Sequence, residues 1–131
     1  MKAYSLTPAL HKEWKNLFGS HQSLIEGLVH GLGSPLNLLF PVIAEENAQA
    51  FREVFSRAGV NGVVYATHKP NKSQEVLKRL ARMHGMRVDV SSFGELSSAL
   101  HAGFTGDRIG ATGIKNDEYV RLAVLHGATI I

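Results

Sequence analysis

Four times in the second half of the chain, a glycine ends a helical run and a β-branched stretch follows it; no other feature limits the fold as much. Gly59 precedes Val63-Val64-Tyr65-Ala66-Thr67, and Gly85 precedes Met86-Arg87-Val88-Asp89-Val90. Gly103 precedes Arg108-Ile109-Gly110-Ala111-Thr112, and Gly127 precedes Ala128-Thr129-Ile130-Ile131. The stretches are strand-like. Helical periods fill the gaps: 73–84 with Val76, Leu77, Leu80 and Met83 inward, 94–102 with Leu96 and Leu100, and 116–126 with Val120, Ala123 and Val124. Ser73 and Asn116 suit N-caps, and Asp117 and Glu118 fall in a first turn, where the helix dipole favours acids. Alternation at intervals of roughly twenty residues predicts right-handed βαβ units and a parallel sheet. The chain has 131 residues, against about 250 for a complete (β/α)8 barrel. The expected fold is therefore α/β, either a small open layer or a partial (β/α)8 barrel of about four parallel βα units.

The sequence before these repeats has another character. Thr7 and Pro8 read as a helix start, with Leu10, Trp14 and Leu17 at helical spacing until Gly19. Ser20 is expected to cap a second helix carrying Leu24, Ile25, Leu28 and Val29, which ends among Gly31 and Gly33. Residues 1–33 are thus expected to form a helical N-terminal extension, and residues 34–131 the α/β part. Ser34-Pro35-Leu36-Asn37-Leu38-Leu39-Phe40-Pro41 reads as a short strand or extended entry segment. Ala44, Ala48, Phe51, Phe55 and Ala58 mark one helical face, closed by Gly59 in the position of a left-handed C-cap.

Composition narrows the function classes. With 44% hydrophobic and 19% charged residues, the chain reads as one globular unit rather than a disordered or coiled-coil one. It has no cysteine, hence no disulfide, thiolate nucleophile or Cys-ligated zinc. That usage fits a cytoplasmic location. No apolar run approaches the ~20 residues of a membrane span. The +3 net charge is scattered, without a block of like charges, so no nucleic-acid partner is expected. The seven histidines never pair at i+3 or i+4, so no metal site is expected. There is no G-x-S-x-G elbow, P-loop or G-x-G-x-x-G motif.

Ligands of parallel sheets and barrels sit at the C-terminal ends of the strands. The candidate rim segments are therefore Thr67 to Ser73, Asp89 to Glu95 and Ala111 to Asn116. Lys69 shares a strand face with Tyr65 and Thr67 by the period of two. Partial desolvation at an inner rim would ready its amine for a Schiff base, the alternative being an ordinary solvated loop lysine. Asp89 interrupts an apolar strand and needs a partner, either the lysine on the next strand or a structural hydrogen bond. His68 alternates with Lys69 and is expected to face the packed side. Ser92 and Glu95 are rim candidates whose ordinary roles would be helix capping and solvated charge.

These segments resemble a known family. Tyr65-Ala66-Thr67-His68-Lys69-Pro70-Asn71 resembles the Tyr-Ala-x-Lys-Ala-Asn signature of fold-type III pyridoxal-phosphate enzymes. Val88-Asp89-Val90-Ser91-Ser92-Phe93-Gly94-Glu95-Leu96 resembles their Asp-Val-x-Ser-x-Gly-Glu-Leu motif. Gly113-Ile114-Lys115-Asn116-Asp117-Glu118 resembles a third, Gly-x-x-Lys, element. The group is the ornithine/diaminopimelate/arginine decarboxylases; Ser34 to Pro41 and Lys69-x-Asn71-Lys72-Ser73 are similar to the symbiosis-associated, Y4yA-like branch. Pro70 replaces the family's usual Ala, and His68 a small apolar residue.

The resemblance implies the N-terminal half of a pyridoxal-phosphate-binding barrel, with Lys69 forming the internal aldimine and acting in proton transfer once released. It implies further that Asp89 and Ser92 sit beside the cofactor and that an amino-acid substrate loses its α-carboxylate. In the family, the ring-stacking His, the Gly-rich phosphate loop and the acid facing the pyridine nitrogen come from later strands, which these residues do not include. The chain by itself is accordingly expected to be inactive. An amino-acid racemase-like enzyme shares the lysine layout. A non-catalytic oligomerising α/β domain is the reading from another class, since a half-barrel leaves an apolar inner face and strand edges unpaired. A homo-oligomer is expected on either account.

Overall fold

The structure, a computed structural model, describes residues 10–131. They fall into two compact units, one ending at Phe40 and the other running from Pro41 to Ile131.

In the first unit, α1 spans Lys12–Ser20 and α2 spans Gln22–Leu32. The expected start at Thr7 and Pro8 lies outside the described residues. His11 caps α1, its Nδ1 accepting from the Glu13 amide at 3.3 Å. The Ser20 cap does not form: α1 continues through Gly19 and Ser20, and His21 is the junction of both helices. A glycine in a final turn weakens a helix without stopping it. Gly33 ends α2 at φ +88°. Trp14 stacks on Phe18 at 5.7 Å and meets Phe40 edge-on at 4.7 Å. Residues 36–40 belong to no helix or strand.

The second unit opens with α3, Pro41–Arg57. Proline at the first helical position sacrifices an amide that has no intrahelical partner anyway. Strand and helix then alternate: β1 Tyr65–Thr67, α4 Gln74–Arg82, β2 Arg87–Val90, α5 Phe93–His101, a 3-10 turn Gly106–Arg108, β3 Ile109–Ala111, α6 Asp117–His126 and β4 Thr129–Ile130. The strands are shorter than their β-branched runs. All three pairings are parallel and the order is β1-β2-β3-β4. An open doubly wound sheet reverses its order at a switch point. This one never does, so successive right-handed crossovers place every helix on the same side. The architecture is a partial (β/α)8 barrel.

Burial follows that geometry. Val88, Val90, Ile109 and Ala111 are at most 1% exposed beneath the helices, with Leu77, Leu80, Leu96, Tyr119 and Ala123 packed against them. The opposite face carries Tyr65, Thr67, Arg87, Asp89, Gly110 and Thr112. This corrects the expectation of an apolar inner face: it is polar, with the Arg87 guanidinium 5.8 Å over the Tyr65 ring and bonded to its hydroxyl at 3.2 Å. On α6, Tyr119 and Ala123 point inward, while Val124 is 64% exposed. Positions 119 and 123 share a face from which 124 is rotated by about 100°. Phe51 likewise stays exposed although Ala48 on its helical face is buried.

Arg108 ties this framework at the end remote from the strand tips. Nε donates to the Met86 carbonyl at 2.8 Å, Nη1 to that of Ala81 at 2.8 Å, and Nη2 to that of Met83 at 3.1 Å. A cation among carbonyls at the end of α4 also answers the helix dipole. Arg108→Ala is expected to cost about 2–4 kcal/mol, read as a lower denaturant midpoint. Lysine should recover only part of it, since one ammonium cannot reach three diverging carbonyls.

Candidate active site

The strand tips present three short loops. In the first, the ladder continues one residue past β1, as the His68 amide donates to the Asp89 carbonyl at 3.0 Å. The chain then turns through Lys69 and Pro70. His68 faces the packed side as expected, 3% exposed, with Nδ1–H donating to the Asn71 carbonyl at 2.8 Å. The Asn71 side chain accepts from the Ser73 amide at 2.9 Å, and Ser73 caps α4.

Lys69 stands at the tip and is exposed. The partial desolvation expected of it is not found, because the polar sheet face has no opposing wall among the described residues. Two residues separate Ala66 from Lys69 where the signature has one. Thr67 lies on the open face in register with Asp89, and Lys69 follows two residues later in the turn.

Asp89 is half-buried on that face. Of its two possible partners, the structure selects the hydrogen bond: Oδ1 accepts from the Thr112 hydroxyl at 2.8 Å, and no ion pair with Lys69 forms. The register explains it. Asp89 lies opposite Gly110, and Thr112 is two residues further on the same face. Thr112 also donates its amide to the Val90 carbonyl at 2.7 Å, which accepts the Tyr119 hydroxyl at 2.7 Å too. Burial, with the negative charges of Asp89 and Glu95, pushes the Tyr119 hydroxyl up to about 12. It remains a neutral donor.

Ser92 is the N-cap of α5, accepting from the Glu95 amide at 3.3 Å. Glu95 is not solvated but 8% exposed. One carboxylate oxygen accepts from the Ser91 amide at 2.8 Å and hydroxyl at 3.1 Å, and the other from the Lys72 ammonium. Burial alone would push this carboxyl up; the Lys72 and Ser91 donors outweigh it and hold it below its ordinary 4.5. A carboxyl depressed in the folded state adds stability that is complete above its unfolded pKa and disappears as pH falls through the folded one. Denaturant midpoints taken between about pH 6 and pH 3 should therefore fall less steeply in Glu95→Gln than in the wild type. Equal slopes would contradict the assigned pairing.

Lys72 and Thr112 received no role from sequence reasoning. Each contact spans 23 residues and becomes visible only with the strand register. The capping spacing of Ser92 and Glu95 was the available signal for the Glu95 end. Among the described residues no cluster of three or more His, Asp or Glu could hold a metal, and no helix is long and apolar enough to cross a membrane.

A one-sided parallel βα array, with an amine and a hydrogen-bonded acid at its strand tips, has the layout of the first strands of a fold-type III pyridoxal-phosphate barrel. Residues 43–131 match the family described as pyridoxal-dependent decarboxylase, pyridoxal binding domain, and the chain belongs to that family. It is 33% identical over 110 residues to the uncharacterized protein y4yA of Sinorhizobium fredii, covering 84% of this chain and 24% of that one. To the diaminopimelate decarboxylase of Bacillus subtilis it is 34% identical over 100 residues, covering 76% and 23%. To that of Archaeoglobus fulgidus it is 33% identical over 82 residues, covering 63% and 18%. The chain thus spans at most about a quarter of the length of these relatives. The cofactor of the family is pyridoxal phosphate.

Proposed function

We propose that the protein is a pyridoxal-phosphate-dependent amino-acid decarboxylase whose Lys69 holds the cofactor, the described residues supplying the first part of its barrel. One observation carries the reading: Lys69 stands in the turn at the tip of β1, next to His68, whose amide is bonded to the Asp89 carbonyl. The residues present fit the group. A primary amine condenses with an aldehyde, and among the described residues this amine has no ion pair or hydrogen bond that would have to break first. The cofactor, when bound, supplies an electron sink for loss of the substrate's α-carboxylate. The chain's own residues do the rest. Asp89, oriented by the Thr112 hydroxyl, places a carboxylate on the open face of the neighbouring strand. Lys69, once released from the cofactor, holds a proton at Nζ for return to substrate. Ser92 fixes the start of α5 at the site's edge. The described residues are given no role in holding the phosphate or the substrate side chain, and residues 1–33 are read as an N-terminal extension.

The test is chemical. The natural-length protein is incubated with pyridoxal 5'-phosphate, whose aldehyde condenses with an amine and releases water. Borohydride then delivers hydride to the C=N bond and fixes a stable secondary amine. Mass spectrometry of the digest should place the added pyridoxyl group on Lys69. Label distributed evenly over the lysines, or concentrated elsewhere, would end the proposal.

A further inference from the structure

We propose that Lys72 and Glu95 are positioning residues for Lys69: their ion pair clamps the turn that carries the amine, and Lys72 does not itself hold the cofactor. The inference rests on the reading of Lys69 given above. Residues 68–73 are bound to one another by the His68–Asn71 and Asn71–Ser73 hydrogen bonds, so they behave as one bracket. Ser73 joins this bracket to α4, accepting from the Val76 amide at 3.4 Å, and two further tethers join it to β2 and α5. On one side of Lys69 the His68 amide is bonded to the Asp89 carbonyl at 3.0 Å. On the other side the Lys72 ammonium is bonded to Glu95. The first tether is backbone and belongs to the sheet. The second is made by side chains, and it alone reaches α5.

The anchoring end is rigid. Glu95 has 9% of its side chain exposed and is fixed by both donors of Ser91 and by the Ser92 cap, whereas the Lys72 side chain is 58% exposed. The buried partner therefore sets the geometry and the exposed one follows. Severing the contact at Lys72 releases the turn from α5, so that it can move between the His68 hinge and the Ser73 cap, which both stay closed. Lys69 then swings relative to Asp89. An ångström of misplacement at a reacting atom lowers a rate steeply, while the Ser91 amide and hydroxyl stay on the Glu95 carboxylate when Lys72 is lost.

The experiment uses the natural-length protein and the rate of pyridoxal 5'-phosphate trapping by borohydride at Lys69, measured by peptide mass. Lys72→Met should slow labelling of Lys69 by about tenfold and leave the other lysines and the melting temperature nearly unchanged. Lys72→Arg, which keeps the cation, should restore most of the rate. Hydrogen exchange, independent of any cofactor, should rise in Lys72→Met within residues 68–73 alone. Glu95→Gln should slow labelling in the same way. Wild-type labelling rates in Lys72→Met or unchanged exchange of the turn would each overturn the inference while the assignment of Lys69 could stand; label concentrated on Lys72 would remove both. Absence of label on wild-type Lys69 would remove both.

Discussion

Gly106→Ala is expected to prevent the βα array from closing on its last repeat. A methyl at this position would stand 1.7 Å from the His126 carbonyl oxygen, 2.6 Å from its carbon and 3.0 Å from the Gly127 carbonyl carbon. These are backbone atoms at the end of α6, so no rotamer change relieves the clash. The 3-10 turn and the α6–β4 junction would have to separate. Overpacking a core costs about 1–3 kcal/mol when side chains can yield; with backbone on both sides the cost should reach or exceed that upper figure. Against a total of about 5–15 kcal/mol for a domain, much of the protein should be unfolded or aggregated at ordinary temperature. Gly94→Ala is the control. Nothing lies within 4 Å of a methyl there, and Gly94 is helical, so the change should be neutral or stabilise by up to about 1 kcal/mol. Comparable melting temperatures for the two variants would refute the packing assigned to Gly106.

Lys69→Ala should abolish the reducible pyridoxyl adduct and lower decarboxylation by at least about a thousandfold. The fold should be indifferent, because the residue is exposed and has no hydrogen bond or ion pair among the described residues. Circular dichroism and the denaturant midpoint should match the wild type. Lys69→Arg should be equally inactive, since a guanidinium stays protonated and cannot condense with an aldehyde at neutral pH. Activity retained in either variant would remove Lys69 from the chemistry.

The repeat of helical and β-branched periods carried the fold in plain view. Val76, Leu77 and Leu80 are buried as their spacing requires, Ser73 and Asn116 cap their helices, and Gly127 takes the left-handed conformation after α6. Alternation also assigned His68 to the packed side. The failures occurred where side chains meet across the sheet. Asp89 finds Thr112 rather than Lys69 because strand register, not order along the chain, decides what lies beside a carboxylate. Glu95 looked like a surface charge and is buried, because three donors gather at it from two loops. Tyr119 fills the core while its hydroxyl reaches the Val90 carbonyl, a contact that no helical period encodes. The motifs near Lys69 marked where chemistry would sit, but the exposure of that amine depends on what faces it.

Each strand here pairs with the strand made just before it: Tyr65 meets Arg87, Val88 meets Ile109 and Gly110 meets Thr129. Every pairing therefore closes a loop of about twenty residues, and the entropic cost of such loops grows only with the logarithm of their length. None of these three pairings waits for a distant strand. The array can assemble unit by unit in the order in which a ribosome delivers it, each finished hairpin of strand and helix serving as the template for the next.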